Sequence, residues 1–268
     1  MKLAVITPYY KESTDKLRRC HSSVVDQSVQ ADHFLIADGQ ANRKLDSWNA
    51  THVKLPVGMN DSGDTPRLIG LSMAATLGYD GFLFLDADNW FEPGHIEQMV
   101  WGYEQTGVPV VTCPRILRRL DGSVLGNCIE SDGDSFNDFN CYLFMRAALP
   151  YLRILALPNG EMNYFTDRIL WAHLRENCPQ IARVSIPTVN YETTRILHYV
   201  QAGEAPPPEA RTTVFDRDTG RCITMTADEY DAIQRDPSKL FGTVEEFIQA
   251  SGNSASAVNG AIGQKIKT

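Results

Sequence analysis

The sequence predicts an α/β protein with a mostly parallel central sheet flanked by helices, followed by a small C-terminal hairpin-plus-helix appendage. Three observations carry this. Short apolar runs alternate with segments of helical periodicity through residues 2–113, as in chains of βαβ units. One run, 81–85, is apolar throughout and bounded by turn residues, as a strand buried on both faces reads. It stops at Asp86-Ala87-Asp88, and in open α/β sheets ligands bind outside the carboxyl ends of the strands.

The elements follow in order. Residues 2–7 form a first strand ended by Pro8, and 13–28 carry a helical pattern (Leu17, Cys20, Val24) with Ser13 or Thr14 as N-cap. Residues 34–37 make a second strand ending at Asp38-Gly39, and 51–55 a weaker third. A polar loop over 58–64 leads into a helix over 66–77. After the central strand, Glu92-Pro93 opens a helix over 93–106, with proline in the first turn where its missing N–H costs nothing. Residues 108–113 are a further strand.

The second half is less regular. Residues 122–140 are turn-rich and acidic, 140–146 read as a strand, and 147–153 as a short helix. A helix over 161–176 places Phe165, Ile169 and Ala172 on one face, and 182–187 form another strand. The proline run at 205–210 reads as a stiff linker. Beyond it, 212–215 and 221–225 make a hairpin around the turn 216–220. Thr226 and Glu229 form a capping box for a helix over 227–235, and a short helix follows over 243–250. The tail 251–268, rich in Ser, Gly, Asn and Ala, has the composition of a disordered segment. The predicted division is therefore 1–204 as the main domain (1–115 and 116–204 as its halves), 205–210 as linker and 211–250 as extension.

Composition narrows the function. With 25 Lys and Arg against 33 Asp and Glu, a formal charge of −8 excludes nucleic acid as a general partner, because neutralising phosphates needs clustered cations. Six scattered cysteines, without a C-x-x-C, read as reduced core residues of a cytoplasmic protein. No apolar run approaches the roughly 20 residues that span a bilayer, so a membrane contact would be peripheral.

The predicted strand ends bring Tyr9, Tyr10, Asp38, Asp86 and Asp88 to one edge of the sheet. A carboxylate only accepts hydrogen bonds, so Asp38 suits the N–H of uracil, thymine or guanine. Paired acids attract a hard divalent cation, Mg²⁺ or Mn²⁺, whose remaining ligands are phosphate oxygens and water. Each piece also has a plain structural reading, since Asp and Asn are common in turns after strands.

The combination resembles family-2 glycosyltransferases of the GT-A fold. VITPYYKES, LRRCHSSVVDQSVQADHFLIADG and TPRLIGLSMAATLGYDGFLFLDADNWFEP follow that family's order and spacing over residues 2–115. The resemblance implies a metal-dependent glycosyltransferase that moves a sugar from a nucleoside-diphosphate sugar, UDP- or GDP-linked, to a carbohydrate or other acceptor hydroxyl with inversion. It assigns nucleotide contacts to Thr7, Pro8, Tyr10, Glu12, Asp38, Arg67 and Asp86, and the metal to Asp86 and Asp88, with Asp88 the more direct ligand. The family commonly has two adjacent acids after the second strand, where this chain has Ala37-Asp38, and Arg-Asn where it has Arg67-Leu68.

Tyr164-Phe165-Thr166-Asp167 resembles the family's aromatic-x-Glu-Asp at the start of a helix, which makes Asp167 the general base for the acceptor hydroxyl. Thr166 stands where Glu is usual, and an acid in a first helical turn is favourable on dipole grounds alone. His198, beyond that helix, is a third candidate metal ligand by resemblance, although a lone histidine on an apolar face is as often a packed residue. Asp132, Asp134 and Asn140 lie where the family's acceptor-facing loop would be. Residues 205–268 fall outside the resemblance and are compatible with covering an acceptor groove, homodimerisation or capping the sheet. Two rival readings are a sugar nucleotidyltransferase and a catalytically silent nucleotide-sugar or carbohydrate-binding domain. The first would carry a glycine-rich loop after the first strand, where Pro8-Tyr9-Tyr10-Lys11-Glu12 stands instead.

Overall fold

The structure is a computed structural model and describes residues 1–156, 165–216 and 221–234. The chain divides into two compact units, Met1–Arg118 with Gly126–Glu192, and Arg119–Leu125 with Thr193–Thr268.

From Met1 to Glu192, chain order runs β1 (Leu3–Tyr9), α1 (Thr14–Val25), β2 (Asp32–Ala37), β3 (Thr51–Lys54), α2 (Asp64–Thr76), β4 (Gly81–Phe84), β5 (Trp90–Phe91), α3 (His95–Thr106), β6 (Val110–Thr112), β7 (Arg115–Arg118), β8 (Val124–Asn127), β9 (Tyr142–Met145), α4 (Thr166–Asn177), β10 (Ile181–Arg183) and β11 (Val189–Glu192). Seven strands form one sheet in the order β10-β6-β9-β4-β1-β2-β3. Only β9 runs against its neighbours; the other pairings are parallel. This is the mostly parallel α/β sheet that the alternation of apolar runs predicts.

The central strands are buried on both faces, which is why they lack a polar alternation. Helix α1 starts at Ser13, whose side chain accepts from the Lys16 N–H, and buries Leu17, Cys20, His21 and Val24 at helical spacing. Helix α2 lies close on β1. A Cβ on Gly70 would stand 2.5 Å from Ile6 Cγ2, so only glycine permits that approach.

Several boundaries differ from the sequence expectation. Helix α3 begins at His95, not Pro93, because Gly94 at φ 80° turns the chain and the His95 N–H bonds to the Glu92 carbonyl. The buried face of α4 is Ile169, Leu170, Trp171, His173 and Leu174, whereas Ala172 is only half-buried. Residues 147–153 are two short 3-10 turns, Arg146–Ala148 and Tyr151–Ala156. A second sheet in the order β5-β11-β7-β8 lies where no strand, or only a turn-rich loop, was expected.

The second unit contains α5 (Ile196–Gln201), the hairpin of β12 (Arg211–Asp216) and β13 (Arg221–Thr226), and α6 (Ala227–Gln234). The expected capping box is present: the Thr226 N–H donates to Glu229 Oε2 at 2.7 Å, and the Glu229 N–H returns to Thr226 Oγ1 at 3.3 Å. The proline segment is turned, with the Ala210 N–H donating to the Pro207 carbonyl at 2.8 Å. The start of the helix expected from 161, the turn residues 217–220, the helix over 243–250 and the tail 251–268 lie outside the described residues. Cys20, Cys113, Cys128, Cys141 and Cys178 are all buried. Among the described residues no helix is long and apolar enough to cross a membrane.

Candidate active site

The carboxyl ends of β1, β2 and β4 and the start of α2 border a cleft of about 450 Å³ within the first unit. Its lining includes Pro8, Tyr10, Glu12, Asp38, Arg67, Asp86 and Asp88, so seven of the eight predicted nucleotide and metal positions in this unit meet in one place. Thr7 is the eighth. Its hydroxyl sits 2.8 Å from His33 Nε2 and 3.7 Å from Cys20 Sγ, in the core beneath the cleft. Thr7 is fully buried and does not line the cleft.

Tyr9 and Tyr10 divide their roles. The Tyr9 hydroxyl is held 2.6 Å from His52 Nε2 and accepts the Asn42 N–H at 3.0 Å, which fixes a buried ring in the wall. Tyr10 is 37% exposed and is the aromatic surface a ligand can reach. Glu12 is folded back, its Oε2 accepting the Tyr10 N–H at 2.7 Å.

Asp38 is buried, and its Oδ1 accepts the Met59 N–H at 2.8 Å. Among the described residues Oδ2 has no protein partner, leaving one acceptor for a ligand N–H. The turn depends on Gly39 at φ 73°, where a Cβ would meet the Gly58 nitrogen at 2.3 Å. The loop that crosses there closes one side of the cleft through Asn60, Ser62 and Gly63, all with left-handed backbone.

The two acids of the D-x-D are held very differently. Asp86 has both oxygens engaged: Oδ1 pairs with Arg67 Nη2, and Oδ2 accepts from Asn140 Nδ2 at 2.9 Å. The Asp86 N–H in turn donates to Asn140 Oδ1 at 2.5 Å. Asn140 is fully buried and itself tied to Asp138, which pairs with the buried Arg115. It therefore anchors Asp86, a use of this side chain different from the acceptor contact expected of it. Asp88 has no side-chain hydrogen bond among the described residues. Burial, followed by the charges of Asp86, Glu192 and Glu12, pushes its carboxyl up to about 7, against a partial offset from Lys16.

These donors fit a hard divalent cation in chemistry. They are carboxylate oxygens, crowded enough that Asp88 resists ionisation, and positive charge at that point relieves the crowding. No group of three or more His, Cys, Asp or Glu among the described residues could hold a metal alone. Phosphate oxygens and water would have to complete the shell.

Asp167 lies half-buried in the first turn of α4, where its Oδ1 accepts the Arg168 N–H at 2.7 Å. Its neighbour Thr166 is buried, and Thr166 Oγ1 donates to Asp64 Oδ2 at 2.6 Å. His198 belongs to the second unit, where it is buried with Nδ1 2.7 Å from Thr193 Oγ1. Asp132 closes its own loop by accepting the N–H groups of Asp134, Ser135 and Phe136. Those bonds hold its carboxyl below the usual range despite some burial. The backbone carbonyl of Asp134 accepts from Trp171 Nε1 at 2.9 Å and Arg175 Nη1 at 2.7 Å, and its own carboxylate is 92% exposed. Of the three expected acceptor-loop residues, Asp132 and Asp134 are exposed and Asn140 is buried.

No protein-family model and no curated protein matches the chain. Solved structures do. The fold is that of S. aureus TarS. The TarS 1–349 complex with UDP superposes with a TM-score of 0.56 at 14% identity, covering 75% of this chain and 63% of TarS 1–349. The complex with UDP-GlcNAc gives 0.57 at 14% identity over 72% and 59%, and TarS 1–349 alone gives 0.55 at 16% identity over 78% and 68%. This chain thus spans about 63% of the first of these TarS chains. At such identity the likeness establishes the fold.

Several residues at the site escape sequence reading. Glu192 Oε1 and Oε2 pair with Lys16 at 2.5 Å and Arg19 at 2.6 Å, and Arg19 also donates to the Asp88 carbonyl at 2.7 Å. Glu192 thus adds a third negative charge close to the D-x-D, from a strand 104 residues later in the chain. Tyr191 lines the cleft and packs on Arg115, 4.0 Å from ring centre to guanidinium. Nothing in the local sequence marks them. The one available signal is polarity inside a β-type run, as in Val189–Glu192.

Proposed function

We propose that this chain is a glycosyltransferase that moves a sugar from a nucleoside-diphosphate donor to an acceptor hydroxyl with inversion, assisted by Mn²⁺ or Mg²⁺. The observation that carries this reading is the meeting of Asp38, Arg67, Asp86 and Asp88 in one cleft at the carboxyl edge of a parallel sheet. The likeness to TarS, which binds UDP and UDP-GlcNAc, supports a UDP-linked donor and makes UDP-GlcNAc the first to test.

Each residue has a part. Asp38 Oδ2 accepts the N3–H of uracil, and Tyr10 offers its ring to the base or ribose. Arg67 pairs with Asp86 and balances its charge beside the second acid. Asp88 and Asp86 would hold the cation. When bound, it supplies the positive charge that stabilises the departing diphosphate. Asp167 takes the proton of the acceptor hydroxyl as that oxygen attacks the anomeric carbon.

The test is UDP release from UDP-GlcNAc in Mn²⁺ together with UDP binding by calorimetry. Wild type is expected to turn over, and Asp167→Asn to lose at least 100-fold in kcat while UDP affinity stays within twofold. Unchanged turnover in Asp167→Asn removes the base assignment. UDP binding without turnover on a panel of UDP- and GDP-sugars favours a silent binding domain.

A further inference from the structure

Three buried side chains join the donor cleft to the helix of the proposed base. Arg67, 6% exposed, spreads its guanidinium over two acids: Nη2 pairs with Asp86, and Nη1 lies 3.3 Å from Asp64 Oδ1. Nη1 also donates to the Ser62 carbonyl at 2.9 Å, and the guanidinium stacks 4.6 Å over the Phe139 ring. Asp64, 5% exposed, uses its other oxygen to accept from Thr166 Oγ1 at 2.6 Å. Thr166 opens α4 immediately before Asp167. Phe165, the residue at the cap of that helix, supplies no side-chain cap bond. One tie on this first turn comes from α2, 102 residues away in sequence.

A buried carboxylate is costly unless it is paired, and Asp64 shares Arg67, its cation among the described residues, with Asp86. Its carboxyl is pushed up to about 6, mainly by burial and against the pull of Arg67, with a contribution from the Asp167 charge. A residue kept at that cost is doing something hydrophobic packing does not do. Building on Asp167 as base, we propose that Asp64 is a positioning residue. It supplies from α2 the carboxylate that pins the first turn of α4 to Arg67, and so fixes the base relative to the acids of the donor cleft. The segment Tyr164-Phe165-Thr166-Asp167 has no acid before Asp167; on this account Asp64 provides one in space.

The experiment compares Thr166→Val, which keeps shape and removes the hydroxyl, with Thr166→Ser, which keeps the hydroxyl. Three readings are taken: kcat and KM for UDP release from UDP-GlcNAc in Mn²⁺, the Kd of UDP, and deuterium uptake of peptides containing residues 165–170. Thr166→Val is expected to lower kcat at least tenfold with KM and Kd within threefold, and to speed exchange in those peptides at least tenfold. Thr166→Ser is expected within threefold of wild type throughout. A Thr166→Val enzyme with wild-type kcat, or with unchanged exchange at 165–170, overturns the proposal. If Thr166→Val does not fold, Asp64→Asn takes its place: its single oxygen can accept from Thr166 or from Arg67 but not from both, so kcat is expected to fall and exchange at 165–170 to quicken, and wild-type kcat or unchanged exchange in that variant overturns the proposal. Absence of UDP release in wild type would instead be a failure of the functional reading, and the exchange measurement would still decide whether Asp64 holds the helix.

Discussion

Replacing Asp88 by Asn should stabilise the metal-free protein while removing its response to the cation. The magnitude follows from the crowding at the D-x-D. The Asp88 carboxyl is raised to about 7 in the folded protein. An unfolded aspartate ionises near 3.9, a difference of about 3 units, or ~4 kcal/mol at alkaline pH. Asp88 is half-buried and Lys16 lies close, so screening reduces this to about 2 kcal/mol. The sign is set by the raised folded pKa. The cost is absent below the unfolded pKa, grows as pH rises, and is complete above the folded pKa. Asp88→Asn, neutral at every pH, should therefore exceed wild type by about 2 kcal/mol at pH 8 in chelator, or roughly 4–8 °C in Tm for a domain of this size. The advantage should fall below about 1 kcal/mol at pH 5, since the cost scales with distance from the unfolded pKa. Thermal unfolding at pH 5 and pH 8, with EDTA or Mn²⁺, measures it. Wild type should gain stability from Mn²⁺ with UDP, and the variant should not. An Asp88→Asn protein less stable than wild type at pH 8 in EDTA, by an amount that does not vary with pH, would refute the reasoning and favour a capping role for this acid.

Asn140→Ala should cost about 2–4 kcal/mol, because it strands the Asp86 N–H and removes the donor to Asp86 Oδ2, while Asp138 Oδ1 keeps only the backbone N–H of residue 140. Urea unfolding would show the loss, and UDP affinity in Mn²⁺ should fall at least tenfold. Gly39→Ala should lose about 2 kcal/mol or more and weaken UDP binding, since its Cβ would collide with the Gly58 backbone at a positive φ. Gly107→Ala, with a similar φ of 66° but nothing within 4 Å, should cost only about 1 kcal/mol and leave UDP binding unchanged.

The donor half of the site was legible because each of its parts is local. Strands β1, β2 and β4 are buried apolar runs, and Asp38, Asp86 and Asp88 follow them at once, so sheet topology alone gathers the acids. Arg67 was singled out only through the family resemblance, as the Arg that opens the helix before the central strand. The second sheet was not, because its strands are two to four residues long and carry Arg115, Arg118, Asn190 and Glu192 where apolar residues would mark a strand. Two of them show how such groups find partners only in the fold: Arg118 pairs with Glu92 and Asn190, and Glu192 with Lys16 and Arg19. The roles of Asn140 and Asp64 were hidden for the same reason, since each depends on a partner 54 or 102 residues away. Thr7 is the reverse case. The resemblance placed it among the nucleotide contacts, but its hydroxyl lies in the core against His33.

The most direct measurement is calorimetric titration of UDP into the wild-type protein in Mn²⁺ and in EDTA, repeated with Asp88→Ala. The account predicts binding at least tenfold tighter with Mn²⁺, and no such difference in the variant. UDP affinity that is equal in Mn²⁺ and EDTA, or that survives unchanged in Asp88→Ala, would contradict it.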